Sequence, residues 1–223
     1  MKRSIYYTIL FLALLLVAII ALLLIYRSIS STHLHALLID INGSYIASVL
    51  PNESISLVAN RSVIFSGATK KEGYIAMADR VFVGKAGGTN TSTIIFIVSQ
   101  CANSTIANSI LQSELALTRT TPEHSGSYLD LLNITNYSLS GLRVPVYTVL
   151  DVGVFNQTEV TLVPGSSRPL MPYYQFTSMF VYNDYYGSVT VDAYDNSLLY
   201  RNASISLAKL LLNYTSMNLS VAS

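Results

Sequence analysis

The sequence predicts an α/β domain in which helices flank a mixed β-sheet, preceded by an N-terminal transmembrane helix and a strand-rich extension. Ile94–Val98 is a continuous apolar run rich in β-branched residues, which is typical of a strand covered on both faces. Apolar residues recur at helical spacing directly after it, from Ile106 to Leu117. Near the N-terminus, Ile5–Tyr26 carries no charge and is long enough, as a helix, to cross a hydrocarbon core of about 30 Å.

The N-terminal segment predicts attachment to a membrane. Positive charge precedes the apolar run at Lys2 and Arg3, which places the N-terminus in the cytoplasm and the remainder outside the cell. We therefore expect residues 1–27 to be a cytoplasmic tip and an anchor, with residues 5–26 in contact with lipid, and residues 28–35 to be a polar stalk. A cleaved signal peptide is the alternative, although its apolar region is usually about 7–15 residues long.

The extension, residues 36–92, reads as a series of short strands. Asn42-Gly43 predicts the type I′ turn of a hairpin, because both residues tolerate positive φ. Gly84–Thr89 is rich in glycine and predicts a flexible linker into the central strand. The predicted strands are Ala36–Ile41, Ser44–Leu50, Ile55–Val58 and Ser62–Phe65, with Tyr74–Val83 either a strand or a helix.

Residues 93–223 form the predicted main domain. Val144-Pro145 is expected to interrupt regular secondary structure, since proline lacks a backbone N–H. An aromatic-rich insertion is expected at residues 165–187, within which core packing is favoured over a platform for a partner or glycan. After the helix around Ile106–Leu117, the predicted elements are the strands Leu129–Ile134, Val146–Phe155 and Glu159–Val163, a hairpin of Ser188–Tyr194 with Leu198–Arg201, and a helix at Ser204–Met217.

Asparagine usage predicts a glycosylated exterior domain. Of 14 asparagines, 11 begin an Asn-x-Ser/Thr sequon, whereas the 46 serines and threonines among 223 residues would give about three by chance. Because asparagine, serine and threonine also share turns, turn composition is the alternative explanation. The sequons are at Asn42, Asn52, Asn60, Asn90, Asn103, Asn133, Asn136, Asn156, Asn202, Asn213 and Asn218.

Composition narrows the classes of function. Thirteen Lys and Arg against 12 Asp and Glu argue against binding to nucleic acid. The single cysteine excludes an intrachain disulfide. His33 and His35 lack a further ligand cluster, so we expect neither a metal site nor a cofactor. The composition has few charges, 16 Tyr and no Trp. In this it resembles surface glycoproteins of archaea that live in hot, acidic environments.

The central strand and its cysteine resemble part of the thioredoxin-like superfamily. Ile94–Val98 followed by Cys101-Ala102-Asn103-Ser104 is similar to that family's strand and active-site motif. Gly141–Pro145 resembles the segment that carries the family's cis-proline. The motif is degenerate, because Ser104 stands where the family has a second cysteine, and the resemblance covers about a third of the chain.

The resemblance implies a site made of Cys101, Ser104 and Pro145. It implies a cis Val144-Pro145 bond with Pro145 beside Cys101, on a face that could pair with a protein partner. Independently, a thiol at the start of a helix favours the thiolate, although a free cysteine is often a small buried core residue. Without a resolving thiol, the site could only form and hold an intermolecular disulfide or depend on an external thiol.

Three functions follow from these expectations. The first is a membrane-anchored extracellular glycoprotein whose thioredoxin-like domain binds a partner without catalysis. The second is a monothiol thiol-disulfide redox protein that acts through Cys101, the one enzyme considered. The third is a subunit of a surface filament or an adhesion protein, for which an all-β sandwich would be the alternative fold.

Overall fold

The computed structural model describes residues 39–66, 72–120, 128–154 and 172–221. The chain separates into two compact units, Met1–His35 and Ala36–Ser223, of which the first lies outside the described residues. The described elements, in chain order, are α1 (Gly43–Val49), β1 (Ser54–Ile64), β2 (Tyr74–Ala86), β3 (Thr89–Cys101), α2 (Ser104–Thr120), β4 (Tyr128–Leu139), β5 (Leu142–Val154), β6 (Pro172–Tyr182), β7 (Tyr185–Ala193) and α3 (Leu198–Val221).

The seven strands form one sheet in the order β1-β2-β3-β7-β6-β5-β4. Every neighbouring pair is antiparallel. The sheet consists of two meanders, β1 to β3 and β4 to β7, which meet where β3 pairs with β7. Helix α2 carries the chain from the centre of the sheet to its far edge, where β4 begins.

The larger core lies between the sheet and α3. Alternate residues of β3 enter it, because successive side chains of a strand point to opposite faces: Phe96 is fully buried there, with Ile94 and Val98 beside it. Leu207 and Leu211 of α3 are also fully buried in this cluster. Helix α3 is therefore fixed to the sheet by apolar burial along its length.

A smaller core lies on the opposite face, beneath α2. Ala107, Leu111 and Leu115 recur at helical spacing and pack in one cluster with Met179 and Cys101. Met179 alternates along β6 with Phe180, which belongs to the α3 core. The two helices thus cover opposite faces of the same sheet.

The thioredoxin-like α/β prediction is wrong. A mixed sheet needs parallel neighbours joined by a crossover helix, whereas the helix after β3 leads to an edge strand and all described pairs are antiparallel. The predicted cis bond is also wrong, since no peptide bond in the described ranges is cis. Pro145 lies inside β5 rather than in a loop. It precedes Tyr147–Val154, the stretch of β5 that pairs with β6, so its missing backbone N–H is tolerated as it would be on an edge strand.

The structure does not describe the segment of the predicted transmembrane helix. Ile5–Tyr26 falls on residues 1–38, which lie outside the described residues. In the part of the chain that is described, no helix has both the length and the apolar character needed to cross a membrane.

Two predicted hairpins are wrong for a shared reason, which is that a turn signal was in fact a helix start. Asn42 has φ −81° and its side chain caps α1 by accepting from the N–H of Ser44. Leu198–Arg201 is the first turn of α3, and Asp195 accepts a hydrogen bond from the N–H of Ser197 just before it. The segment predicted as a linker, Gly84–Thr89, extends β2 and β3 around a two-glycine turn.

Several elements are confirmed. β3 contains the predicted Ile94–Val98 and extends it at both ends. α2 and α3 contain both predicted helices. The strands predicted at Leu129–Ile134 and from Val146 lie in β4 and β5, while Glu159–Val163 lies outside the described residues. Residues 172–187, part of the predicted insertion, form β6 and the start of β7.

Candidate functional site

Cys101 has the surroundings of a packed core thiol. It is the last residue of β3, is fully buried, and donates its backbone N–H to the carbonyl oxygen of Asp184. Burial, together with a smaller contribution from the nearby charge of Asp184, raises the pKa of the thiol to about 11. A reactive thiol needs an accessible thiolate, so the structure does not support the redox alternative.

The residues of the predicted thiol site are not brought together. Ser104 begins α2, and the start of that helix is capped by the side chain of Asn103, which accepts from the N–H of Ile106 at 3.0 Å. Pro145 lies on β5, which is separated from β3 by β7 and β6. The face expected to bind a partner through Cys101 and Pro145 is therefore absent as a single surface in the described sheet.

Most sequons lie where a glycan could be attached. The exposed ones are Asn42, Asn52, Asn60, Asn103, Asn136 and Asn202. Asn90 and Asn133 are half-buried, as is Asn213, which donates to the hydroxyl of Tyr137 at 3.0 Å. Asn156 and the side chain of Asn218 lie outside the described residues. Glycosylation stays a prediction at all eleven positions.

The sequence predicts no metal site at His33 and His35. Both residues, like His124, lie outside the described ranges. Within those ranges, no group of three or more possible ligating side chains lies close enough to hold a metal ion.

A row of polar side chains crosses the α2 face at one end of the sheet. Asp151, Gln175, Asp192 and Thr93 are cross-strand partners on β5, β6, β7 and β3 in turn. Gln175 donates to Asp192 at 2.8 Å. Burial raises the pKa of Asp192 to about 6 and also raises that of Asp151. The row holds a carboxyl that titrates in mildly acidic solution.

A pocket opens on the other face, where α3 begins. Its volume is about 330 Å³. The apolar part of its lining comes from the sheet and from the first residue of α3: Leu132, Leu150, Phe176 and Leu198. The polar part is Asp130, Asn196, Ser197 and Arg201. The pocket therefore combines an apolar wall with one cationic and one anionic side chain.

Two residues that line this pocket each have a polar atom that is buried without a partner. These atoms are Nε of Arg201 and the hydroxyl oxygen of Ser197. Ser197 precedes the first helical residue, where a serine usually accepts a hydrogen bond from the first turn. In residues 39–66, 72–120, 128–154 and 172–221, no ion pair or hydrogen bond involves the Arg201 guanidinium. Buried polar groups are seldom left unsatisfied, so this pocket is the candidate site.

Sequence reasoning missed this pocket. Asp195-Asn196-Ser197 before an apolar run is a helix-start signal, and reading it would have placed Arg201 in a first turn. The contribution of Asp130, Leu150 and Phe176 could not be read in the same way, because these residues come from three different strands.

Comparisons with known proteins find likeness in structure. No family model matches the chain. No curated protein matches it either. Among solved structures, it is similar to the extracellular domain of PknH from Mycobacterium tuberculosis, with 11% sequence identity, coverage of 76% of this chain and 90% of that chain, and a TM-score of 0.48. The candidate function therefore rests on the residues of the pocket.

Proposed function

We propose that the described domain is a non-catalytic recognition domain that works outside the cell and binds a small ligand in the pocket at the start of α3. The observation that carries the proposal is the pair of unpartnered buried atoms, Nε of Arg201 and the hydroxyl oxygen of Ser197. A ligand that bonded to both would remove a desolvation cost of about 1–3 kcal/mol for each atom.

The size and lining of the pocket support binding rather than chemistry. About 330 Å³ lies at the lower end of the range for small-molecule sites, which is roughly 300–1,000 Å³. Its eight lining residues include one hydroxyl, that of Ser197, but no histidine, lysine or cysteine that could activate it as a nucleophile. Four of the eight lining residues are apolar and four are polar, so the pocket can bury an apolar group while polar groups orient it.

The sequons support a location outside the cell. Six of the eleven asparagines are exposed, just before α1, on loops, on both edge strands and on α3. Attachment through residues 5–26, with a cytoplasmic N-terminus, stays a prediction from the sequence. Protease added to intact cells should digest the C-terminal part, and treatment that removes N-glycans should lower its apparent mass.

A pocket-filling substitution tests the binding function. We expect saturation-transfer NMR with a panel of sugars, organic acids, amines and amino acids to detect binding to the full-length protein, and Leu132→Trp to abolish it by occupying the pocket. Ile134→Trp is the matched control, because Ile134 lies on the same strand but is 51% exposed and outside the pocket. Absence of any ligand, or equal binding to both variants, would overturn the proposal.

A further inference from the structure

We infer that the ligand is a small zwitterion with an apolar body, of which a free α-amino acid is the simplest form. This inference rests on the proposed function of the pocket and goes beyond it by naming the chemical class of the ligand. Three parts of the lining carry it: a cationic end, an anionic end, and an apolar wall shared between them.

The cationic end suits a carboxylate. Arg201 presents a guanidinium whose fork of N–H donors matches the two oxygens of a carboxylate, and its Nε is buried without a partner. Ser197 adds an unpartnered hydroxyl. The start of α3 adds its positive dipole end, next to Asp195, which accepts from the N–H of Ser197. Arg201 and Ser197 both line the pocket from the start of α3.

The anionic end suits an ammonium group. Asp130 lines the pocket from β4 and is exposed. Although Asp130 and Arg201 share the pocket, they form no ion pair within 4.0 Å in the structure described. Each charge is therefore available to a ligand group. A simple anion would satisfy Arg201 but would lie near the carboxylate of Asp130, and a simple cation would have the opposite difficulty.

The apolar wall suits a hydrocarbon side chain. Leu150 and Phe176 line the pocket and are 3% and 1% exposed, so they belong to the fixed core of the domain. Leu132 lies beside them on β4. A branched aliphatic group would bury its surface there, at roughly 25 cal/mol for each Å² removed from water.

Three probes of nearly equal shape test the inference: leucine, 4-methylpentanoate, which lacks the ammonium group, and 3-methylbutylamine, which lacks the carboxylate. Affinities are measured by titration calorimetry on the full-length protein. We expect leucine to bind at least about tenfold more tightly than either analogue, a difference of about 1.4 kcal/mol. Weaker binding of D-leucine, which carries the same charges in mirror-image arrangement, would show that the site recognises shape as well as charge.

Substitutions assign each end of the ligand. Arg201→Gln should weaken leucine and 4-methylpentanoate by about tenfold or more and leave 3-methylbutylamine unchanged, while Asp130→Asn should weaken leucine and 3-methylbutylamine only. Arg143→Gln and Glu114→Gln are matched controls, because both side chains are exposed and lie outside the pocket. A thermal unfolding temperature equal to that of the wild type shows that a variant is folded. If Arg201→Gln is not folded, Arg201→Lys serves as the second variant.

The outcomes separate this inference from the proposed function. Equal binding of leucine and 4-methylpentanoate, with no effect of Asp130→Asn, would show a site for anions and overturn the zwitterion inference alone. So would a ligand that is displaced by Leu132→Trp and carries no charge. Failure of all probes, together with the absence of any ligand sensitive to Leu132→Trp, would overturn both.

Discussion

The first turn of α3 places two consecutive polar side chains in opposite situations. Tyr200 donates its hydroxyl to the buried carboxylate of Glu53 at 2.7 Å, and the other oxygen of that carboxylate accepts from Ser92. Its neighbour Arg201 leaves Nε buried without a partner. The comparison teaches that the same helical turn holds one polar group with a buried partner and one without, and the proposed ligand would supply the second partner.

A second satisfied group lies one turn further along α3. Thr148, Ser178 and Ser204 are fully buried and their hydroxyls form a chain with steps of 3.0 Å. Ser204 also donates to the carbonyl oxygen of Arg201 at 2.9 Å. The helix is therefore held to β5 and β6 by hydrogen bonds as well as by apolar packing.

Removing the acceptor from the satisfied group should have the largest effect. Glu53→Ala leaves the hydroxyls of Tyr200 and Ser92 buried without their acceptor, and each hydrogen bond to a charged group contributes about 1.5–3 kcal/mol. We expect the free energy of unfolding to fall by about 3–5 kcal/mol, measured by denaturant titration. Glu114→Ala, an exposed control, should change it by less than about 0.5 kcal/mol. A loss below about 1 kcal/mol would show that Glu53 does not hold this region together.

An intermediate effect on stability is expected at Asp192, which accepts a hydrogen bond from Gln175 but is largely shielded from solvent. Its folded-state pKa is raised from 3.8 to about 6, so the stability that its protonated form gives is present below about pH 4 and is lost as the pH rises through about 6. Asp192→Asn should therefore stabilise the domain at pH 7, by up to about 3 kcal/mol.

Melting curves between pH 3 and pH 8 test this expectation. The gain from Asp192→Asn should appear between about pH 4 and pH 6 and remain constant above that range. Asp195→Asn is the control, because Asp195 is exposed in the loop before α3. A gain that is equally large at pH 3 would contradict a titration of Asp192.

The smallest effect should come from the unpartnered group itself. In the absence of ligand, Arg201→Gln removes no hydrogen bond or ion pair that the described residues make. We therefore expect the free energy of unfolding to change by less than about 0.5 kcal/mol, measured under the same conditions as Glu53→Ala. A loss above about 1 kcal/mol would indicate a structural partner and would remove the contrast between Tyr200 and Arg201.

Local pattern predicted elements well where one signal dominated. Ile94–Val98 lies within β3 because a continuous apolar run suits a strand covered on both faces. Ile106–Leu117 lies within α2 because burial of one side of a helix imposes a period on the sequence. The pattern failed where a short signal had two structural uses. Asn42-Gly43 suits a hairpin turn as well as a helix cap, and only the contact that buries Ile46 favours the helix.

The sequence by itself determined the segments that are apolar on one face, the sequons and the presence of a single thiol, because these depend on neighbours in the chain. Tertiary structure decided the strand order, the burial of Cys101 and the pocket. Glu53 and Tyr200 are 147 residues apart and meet only in the folded sheet. A period of two or 3.6 residues states which side of an element is buried but not which element covers it, so the partner of β3, and the missing partner of Arg201, became visible only in the fold.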